Sequence, residues 1–127
     1  MENIQRLELL REFSSAWNDH DVYRLMRCMS DDCVFYASGG MQQSPKGAMY
    51  VGRENVKHAY EAIWTAIPDA QWRDAAHFVD NDRGFSEWTF TGPSADGAPI
   101  RVYGVDIFRF RGNKIAEKNT LRKNLIG

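Results

Sequence analysis

The sequence predicts an α+β domain in which three N-terminal helices pack on one face of a curved, mainly antiparallel sheet. Three observations carry that expectation. Apolar residues recur every three to four positions up to Pro68 and every second position beyond it. The early segments are bounded by helix-capping residues, and the later ones are joined by short hairpin-type turns. Helices followed by a run of strands that neighbour one another in sequence make a sheet covered on one face. At 127 residues and 43% hydrophobic content the chain supplies one core and not two, so a single domain over residues 1–127 is expected.

Ile4, Leu7, Leu10, Phe13 and Trp17 form the stripe of a first amphipathic helix ending near Asn18. Asp21 can cap a second helix, whose Val22, Leu25, Met26 and Met29 face the core until Ser30-Asp31-Asp32 stops it. Cys33 to Tyr36 reads as a short strand, and the Gly-, Ser- and Pro-containing segment from Ser38 to Gly52 as a loop within the domain. Gly52-Arg53-Glu54 opens a third helix carrying Val56, Tyr60, Ile63, Trp64 and Ile67, closed by Pro68-Asp69. Strands follow at Gln71–Val79, Phe85–Thr91, Ile100–Phe110 and Lys114–Leu121, with turns at Asn81-Asp82, around Gly92-Pro93 and Asp96-Gly97, and at Gly112-Asn113.

The last turn fixes a register, because glycine at its first central position suits a type II′ hairpin. Phe110 then faces Ile115, Phe108 faces Glu117, Asp106 faces Asn119 and Gly104 faces Leu121. Tyr103, Val105, Ile107, Lys118 and Arg122 fall on the opposite face. One layer of helices covers only one of these faces, so the exposed Tyr-Val-Ile patch predicts a homodimer through the sheet.

Several classes of function are excluded by composition. Lys and Arg total 16 against 17 Asp and Glu, which leaves no basic field for nucleic acid. No apolar run approaches a membrane span and the charged start does not resemble a signal peptide, so a cytoplasmic protein without membrane contact is expected. Cys28 and Cys33 are expected as buried, reduced thiols. No His/Cys/carboxylate spacing suggests a metal, and the glycines of SGGMQQSPKGAMYVG match no phosphate-binding loop, so no cofactor is implied.

The order and spacing of WNDHDVYRLMRCMSDDCVF, VGRENVKHAYEAI with IPDAQW, and GVDIFRFRGNKIAEKN resemble the SnoaL-like and ketosteroid isomerase-like branch of the nuclear transport factor 2-like superfamily. The resemblance spans nearly the whole chain. It implies a cone-shaped domain whose strongly curved sheet and helices enclose a mostly apolar pocket, and it implies dimers. Isomerases, polyketide cyclases, dehydratases, epoxide hydrolases and non-catalytic modules share that fold, so the fold alone does not choose a chemistry. Carried over position by position, Asp106 matches the protonated oxyanion-hole aspartic acid of ketosteroid isomerase, the system that also serves as a general illustration of such a shift. Phe13 and Ala37 stand where that enzyme has its oxyanion tyrosine and its general base, which disfavours steroid isomerisation by that route. The last strand reads Lys118-Asn119 where SnoaL-like cyclases carry a His-Trp pair before an aspartate, and it offers Thr120 or Asn119 where the epoxide hydrolases need a second carboxylate.

Asp106, between Val105 and Ile107, is the leading acid/base candidate, since an unpaired carboxyl there would be desolvated and pushed toward its neutral form. The competing reading is a carboxylate satisfied by an ion pair with Arg101 or Lys118. Asn119 could orient Asp106 or bind a ligand carbonyl. His77 falls opposite Ser86 if Asn81-Asp82 is a two-residue turn, on the face of Trp88 and Phe90, where it could couple to Asp106. Glu117 is a minor second carboxylate; His20 and His58 are expected at the surface. Trp17, Tyr36, Trp64, Trp88, Phe90 and Phe108 are expected around the pocket, with Met41, Met49 and Tyr50 on a flap at its entrance. The expected function is cofactor-independent acid/base chemistry, of isomerase, cyclase or dehydratase type, on a small apolar and cyclic carbonyl or hydroxyl compound. The alternative is a non-catalytic binding or dimeric assembly protein.

Overall fold

The computed structural model describes residues 2–39, 43–93 and 96–123. Helices α1 (Glu2–Asn18), α2 (Val22–Arg27) and α3 (Arg53–Ala66) pack on strands β1 (Met29–Ala37), β2 (Ala48–Val51), β3 (Gln71–Asp80), β4 (Arg83–Pro93), β5 (Pro99–Arg111) and β6 (Lys114–Arg122). The six strands form one open mixed sheet in the order β2-β1-β6-β5-β4-β3. Every neighbouring pair is antiparallel except β1 and β6, which run parallel. The architecture is the α+β arrangement that the sequence predicts. Among the described residues no helix is long and apolar enough to cross a membrane.

Two local expectations change. Asp21 caps α2 by accepting from the Arg24 N–H at 3.2 Å, but the helix stops at Arg27, and Met29 already pairs with Ile115 in the sheet. An apolar Met29 suits the next turn of a helix and an inward position of a strand equally well, so its spacing does not decide between them. Within the segment expected to be loop, Ala48–Val51 forms β2 against β1. Tyr50 on β2 stacks on Phe35, with centroids 5.8 Å apart. Met41, expected on the flap, lies outside the described residues, and Met49 is partly exposed.

Polar clamps hold α1 on the sheet. Arg6, only 7% exposed, donates from Nε to the Gly112 carbonyl at 3.0 Å and from Nη1 to the Asn81 carbonyl at 2.6 Å. One cation thereby ties both hairpin turns to the helix and satisfies backbone carbonyls that the turns leave free. At the other end of α1, the Asn18 side-chain amide mimics a peptide. It donates to the Trp72 carbonyl and accepts from the Trp72 N–H, which gives the edge strand β3 the partner it would otherwise lack.

The core between these clamps is aromatic. Phe13 meets Trp17, Tyr60 and Phe108 edge to face at 5.9–6.2 Å. Cys28 and Cys33 are buried and free, as expected, and burial raises both thiols, Cys28 to about 11. Gly112 has φ +57°, the positive value that the first central residue of its turn requires.

Two bulges decide which side chains face inward. In β3 the register slips between Arg73 and Ala76, around Asp74 at φ +56°, and in β6 it slips so that Ala116 is the extra residue. Each bulge inserts one residue and reverses the alternation beyond it. The outer face is apolar in patches: Phe78 stacks on Phe85 at 4.6 Å, and Tyr103, Ile107 and Leu121 are 44–49% exposed.

Candidate active site

The alternation of β5 turns Gly104, Asp106, Phe108 and Phe110 inward. On β4, Ser86 lies beside Asp106 and Trp88 beside Gly104. Gly104 has a steric role. A Cβ there would fall 2.3 Å from Trp88 Cζ3, so the indole occupies the space that any other residue would fill. Lying across β5, Trp88 donates from Nε1 to Asp106 Oδ2 at 3.1 Å.

β6 supplies the other partners, and here the bulge matters. The sequence places Asn119 opposite Asp106 and Glu117 opposite Phe108, whereas the ladder pairs Asp106 with Thr120 and Phe108 with Lys118. Asn119 pairs with Ile107 and Tyr36 instead, on the outer face. Glu117 also points outward, to Lys46 at 3.0 Å and Arg109 at 3.3 Å. The extra residue at Ala116 is the reason in both cases: it exchanges the odd and even positions of the strand. Nothing in the local composition marks it, because no Gly or Pro interrupts Lys114–Arg122.

Asp106 is therefore paired, which removes the condition on which the expectation of a desolvated, unpaired carboxyl rests. Thr120 Oγ1 donates to Oδ1 at 2.5 Å, and Lys118 Nζ stands 3.5 Å from the same oxygen. Asp106 and Lys118 are 6% and 3% exposed. The ammonium is boxed by Phe35, Trp17, Tyr60 and Phe13, with Nζ 4.5, 4.8, 4.9 and 6.0 Å from the ring centroids. Ring faces stabilise a cation where water cannot reach it. Burial nonetheless lowers the Lys118 ammonium below its ordinary value, and Asp106 opposes that shift.

This pair forms part of the wall of a cavity of about 310 Å³. Trp72 and Trp88 line one side, Phe35 and Tyr50 another, and the small side chains of Ala59 and Ala62 on α3 leave the space open. Thr120 and Arg122 complete the polar strip along β6. The expected register sends Lys118, Thr120 and Arg122 to the outer face; the bulge brings all three to the cavity side. Trp72 is likewise outside the expected set, because counting outward from His77 by twos skips it; the bulge at Asp74 turns both residues inward.

Of the expected pocket aromatics, Trp88 lines the cavity. Tyr36 does not: β1 directs Cys33 and Phe35 inward and sends Tyr36 outward, where Lys46 Nζ lies 4.8 Å from its ring. Trp17, Phe90 and Phe108 are core residues behind the wall, 4%, 0% and 1% exposed. Trp64 packs between Trp17 and His20. His20 is not a plain surface residue, since Nε2 lies 2.8 Å from the Ala70 carbonyl and the ring stacks on Trp64; His58 is exposed, as expected.

His77 does face inward opposite Ser86, with Nδ1 2.6 Å from Ser86 Oγ. It reaches Asp106 only across a crevice of about 10 Å³, too small for a ligand. No hydrogen bond joins His77 to Asp106 among the described residues. Burial lowers the imidazole below its ordinary 6.5, opposed by the nearby Asp106 charge. Among the described residues no group of three His, Cys, Asp or Glu side chains is placed to hold a metal ion.

The geometry has relatives. A protein from Xanthomonas campestris pv. campestris, provisionally assigned as a polyketide cyclase, superposes with a TM-score of 0.82 at 17% identity over 98% of this chain and 93% of that one. A nuclear transport factor 2-like protein of unknown function from Mesorhizobium loti gives 0.79 at 27% identity over 98% and 95%. TerC, co-crystallized with polyporic acid, gives 0.80 at 16% identity over 94% and 92%. No functionally curated protein matches the sequence. The model of the SnoaL-like domain matches residues 10–118, and with the sheet, cone and cavity in place the chain belongs to the SnoaL-like family of the nuclear transport factor 2-like superfamily.

Proposed function

We propose that this protein is a cofactor-independent acid/base enzyme, of isomerase, cyclase or dehydratase type, acting on a small apolar and cyclic carbonyl compound. The observation that carries the reading is the Asp106–Lys118 pair, an acid and a base both almost fully buried and both on the wall of an aromatic cavity. Charged groups are rarely withdrawn from water unless paired, and perturbed ones cluster at functional sites. Solved structures of this fold include proteins provisionally assigned as polyketide cyclases and one co-crystallized with polyporic acid, which supports a cyclic ligand.

The roles follow from chemistry. The Asp106 carboxylate takes a proton from the carbon next to the substrate carbonyl, and the C–H bonding pair moves into the enolate. Lys118 donates to the oxygen that gains negative charge, where a fixed cation in a dry site is most effective. Asp106 then returns the proton to a different carbon, or the enolate carbon attacks a second carbonyl of the substrate to close a ring, and the alkoxide formed from that C=O π pair takes the proton back from Asp106. Trp88 and Thr120 hold the carboxylate in place. His77 bonds Ser86 outside the cavity wall and is not a catalytic residue in this scheme; Asn119 has no part in it.

The test is hydrogen exchange in D2O at the α-carbon of cyclic ketones such as 1-tetralone, followed by NMR. Wild type is expected to accelerate exchange, and Asp106→Asn to lose on the order of 10²-fold or more of that rate. Ketone binding without exchange would overturn the reading in favour of a non-catalytic binding protein. The full pairing of the Asp106 carboxylate is the observation that favours this second reading. We also infer a homodimer through the outer face, supported by the exposed Tyr103, Ile107 and Leu121. Sedimentation at micromolar concentration should give twice the chain mass, and a monomer would exclude it.

A further inference from the structure

Arg122 is unused by the scheme above, although its guanidinium belongs to the cavity wall. Its Cζ lies 4.6 Å from the Phe90 ring centroid, and its buried Nε has no hydrogen-bond partner. Among the described residues no ion pair reaches it, and the remaining residues include no Asp or Glu, so no acidic side chain of this chain is left to neutralise it. Lys118, the neighbouring cation, is already matched by Asp106. The cavity therefore carries one uncompensated positive charge. Such a charge is costly to withdraw from water, and burial lowers the Arg122 guanidinium below its ordinary value. Arginine keeps its proton under such pressure, so an anion is the partner that suits this half-buried guanidinium.

Resting on the acid/base reading, we propose that the substrate is a cyclic or aromatic carboxylate, with its carboxylate on Arg122 and its ring between Trp88 and the alanines of α3. A planar guanidinium whose Nε–H has no partner suits a carboxylate. A single free cation suits a monoanion better than a phosphate dianion. Arg122 follows Thr120 on the same face of β6, and a strand advances about 7 Å over two residues. The anion anchor thus sits roughly one ring away from the level of Asp106, which leaves the reacting carbon across the ring from the carboxylate.

Calorimetric titration of the full chain with 2-naphthoate and 2-naphthamide tests this, because the probes share a ring system and differ in charge. Naphthoate is expected to bind at least tenfold tighter, with the advantage shrinking as salt is raised. Arg122→Gln should abolish the preference by weakening naphthoate alone, and Arg122→Lys should keep part of it, which separates lost charge from a damaged fold. Equal affinities in wild type, or a preference that survives in Arg122→Gln, would overturn the carboxylate proposal while leaving the cavity a ligand site. Binding of neither probe would overturn both this inference and the acid/base reading on which it rests.

Discussion

The two faces of the sheet hold the same kind of ion pair in opposite settings. Inside, Lys118 meets Asp106 with both side chains under 10% exposed. Outside, Glu117 meets Lys46 and Arg109, whose side chains are 49% and 52% exposed. Coulomb attraction per pair is larger where water is absent, and so is the cost of losing one member. The difference teaches that an ion pair's place on the sheet, more than its distance, decides whether it is structural decoration or a constraint on the whole domain.

The strongest way to break this contrast is Lys118→Met, which leaves Asp106 buried without its cation. A loss of about 3–5 kcal/mol is expected from urea unfolding, and Asp106→Leu combined with Lys118→Met should recover much of it. Strict additivity of the two losses would mean that the pair is not coupled. Next in size is Gly104→Ala, whose Cβ collides with Trp88 and also approaches the Leu121 carbonyl at 3.0 Å. It should cost about 1–3 kcal/mol and change the near-UV circular dichroism of the displaced indole. On the outer face, Glu117→Gln should cost less than about 1 kcal/mol, falling further in high salt; a loss as large as that of Lys118→Met would erase the contrast.

The smallest effect concerns pH. Because His77 is held below its ordinary 6.5, its neutral form stabilises the fold fully above that pH, and the contribution disappears as pH falls through its lowered value. His77→Gln should flatten the Tm profile on the acid side of pH 6.5 and leave it unchanged above.

Most of the fold is legible in the sequence because its signals are local. The Asn81-Asp82 turn puts His77 opposite Ser86, and Gly112 sets Phe110 opposite Ile115, as the turn rules require. Asp106 is legible as an inward carboxyl from its apolar neighbours on β5. Its partners are not. A bulge leaves no mark in composition, so Ala116 exchanges Asn119 for Thr120 and hides Lys118 from any count by twos. In β3 a faint signal exists, since Asp74 is a residue type that tolerates positive φ within an otherwise regular run. β2 is hidden by its length, four residues inside a stretch rich in turn formers. On β1 the inward aromatic is Phe35 and not the expected Tyr36, because the strand's register comes from pairing with β2 and β6 and not from any turn beside it.

That parallel pairing has a kinetic consequence. β1 and β6 come from opposite ends of the chain, yet Val34 lies beside Glu117 and Phe35 beside Lys118. Joining them closes a very long loop, whose entropy has to be overcome before the contact is rewarded. The β5–β6 hairpin can bring Lys118 to Asp106, but the Phe35 wall of its aromatic box arrives only with that closure. A ligand seated in the cavity should slow amide exchange across the first and last strands together, since opening either one dismantles the other's partner.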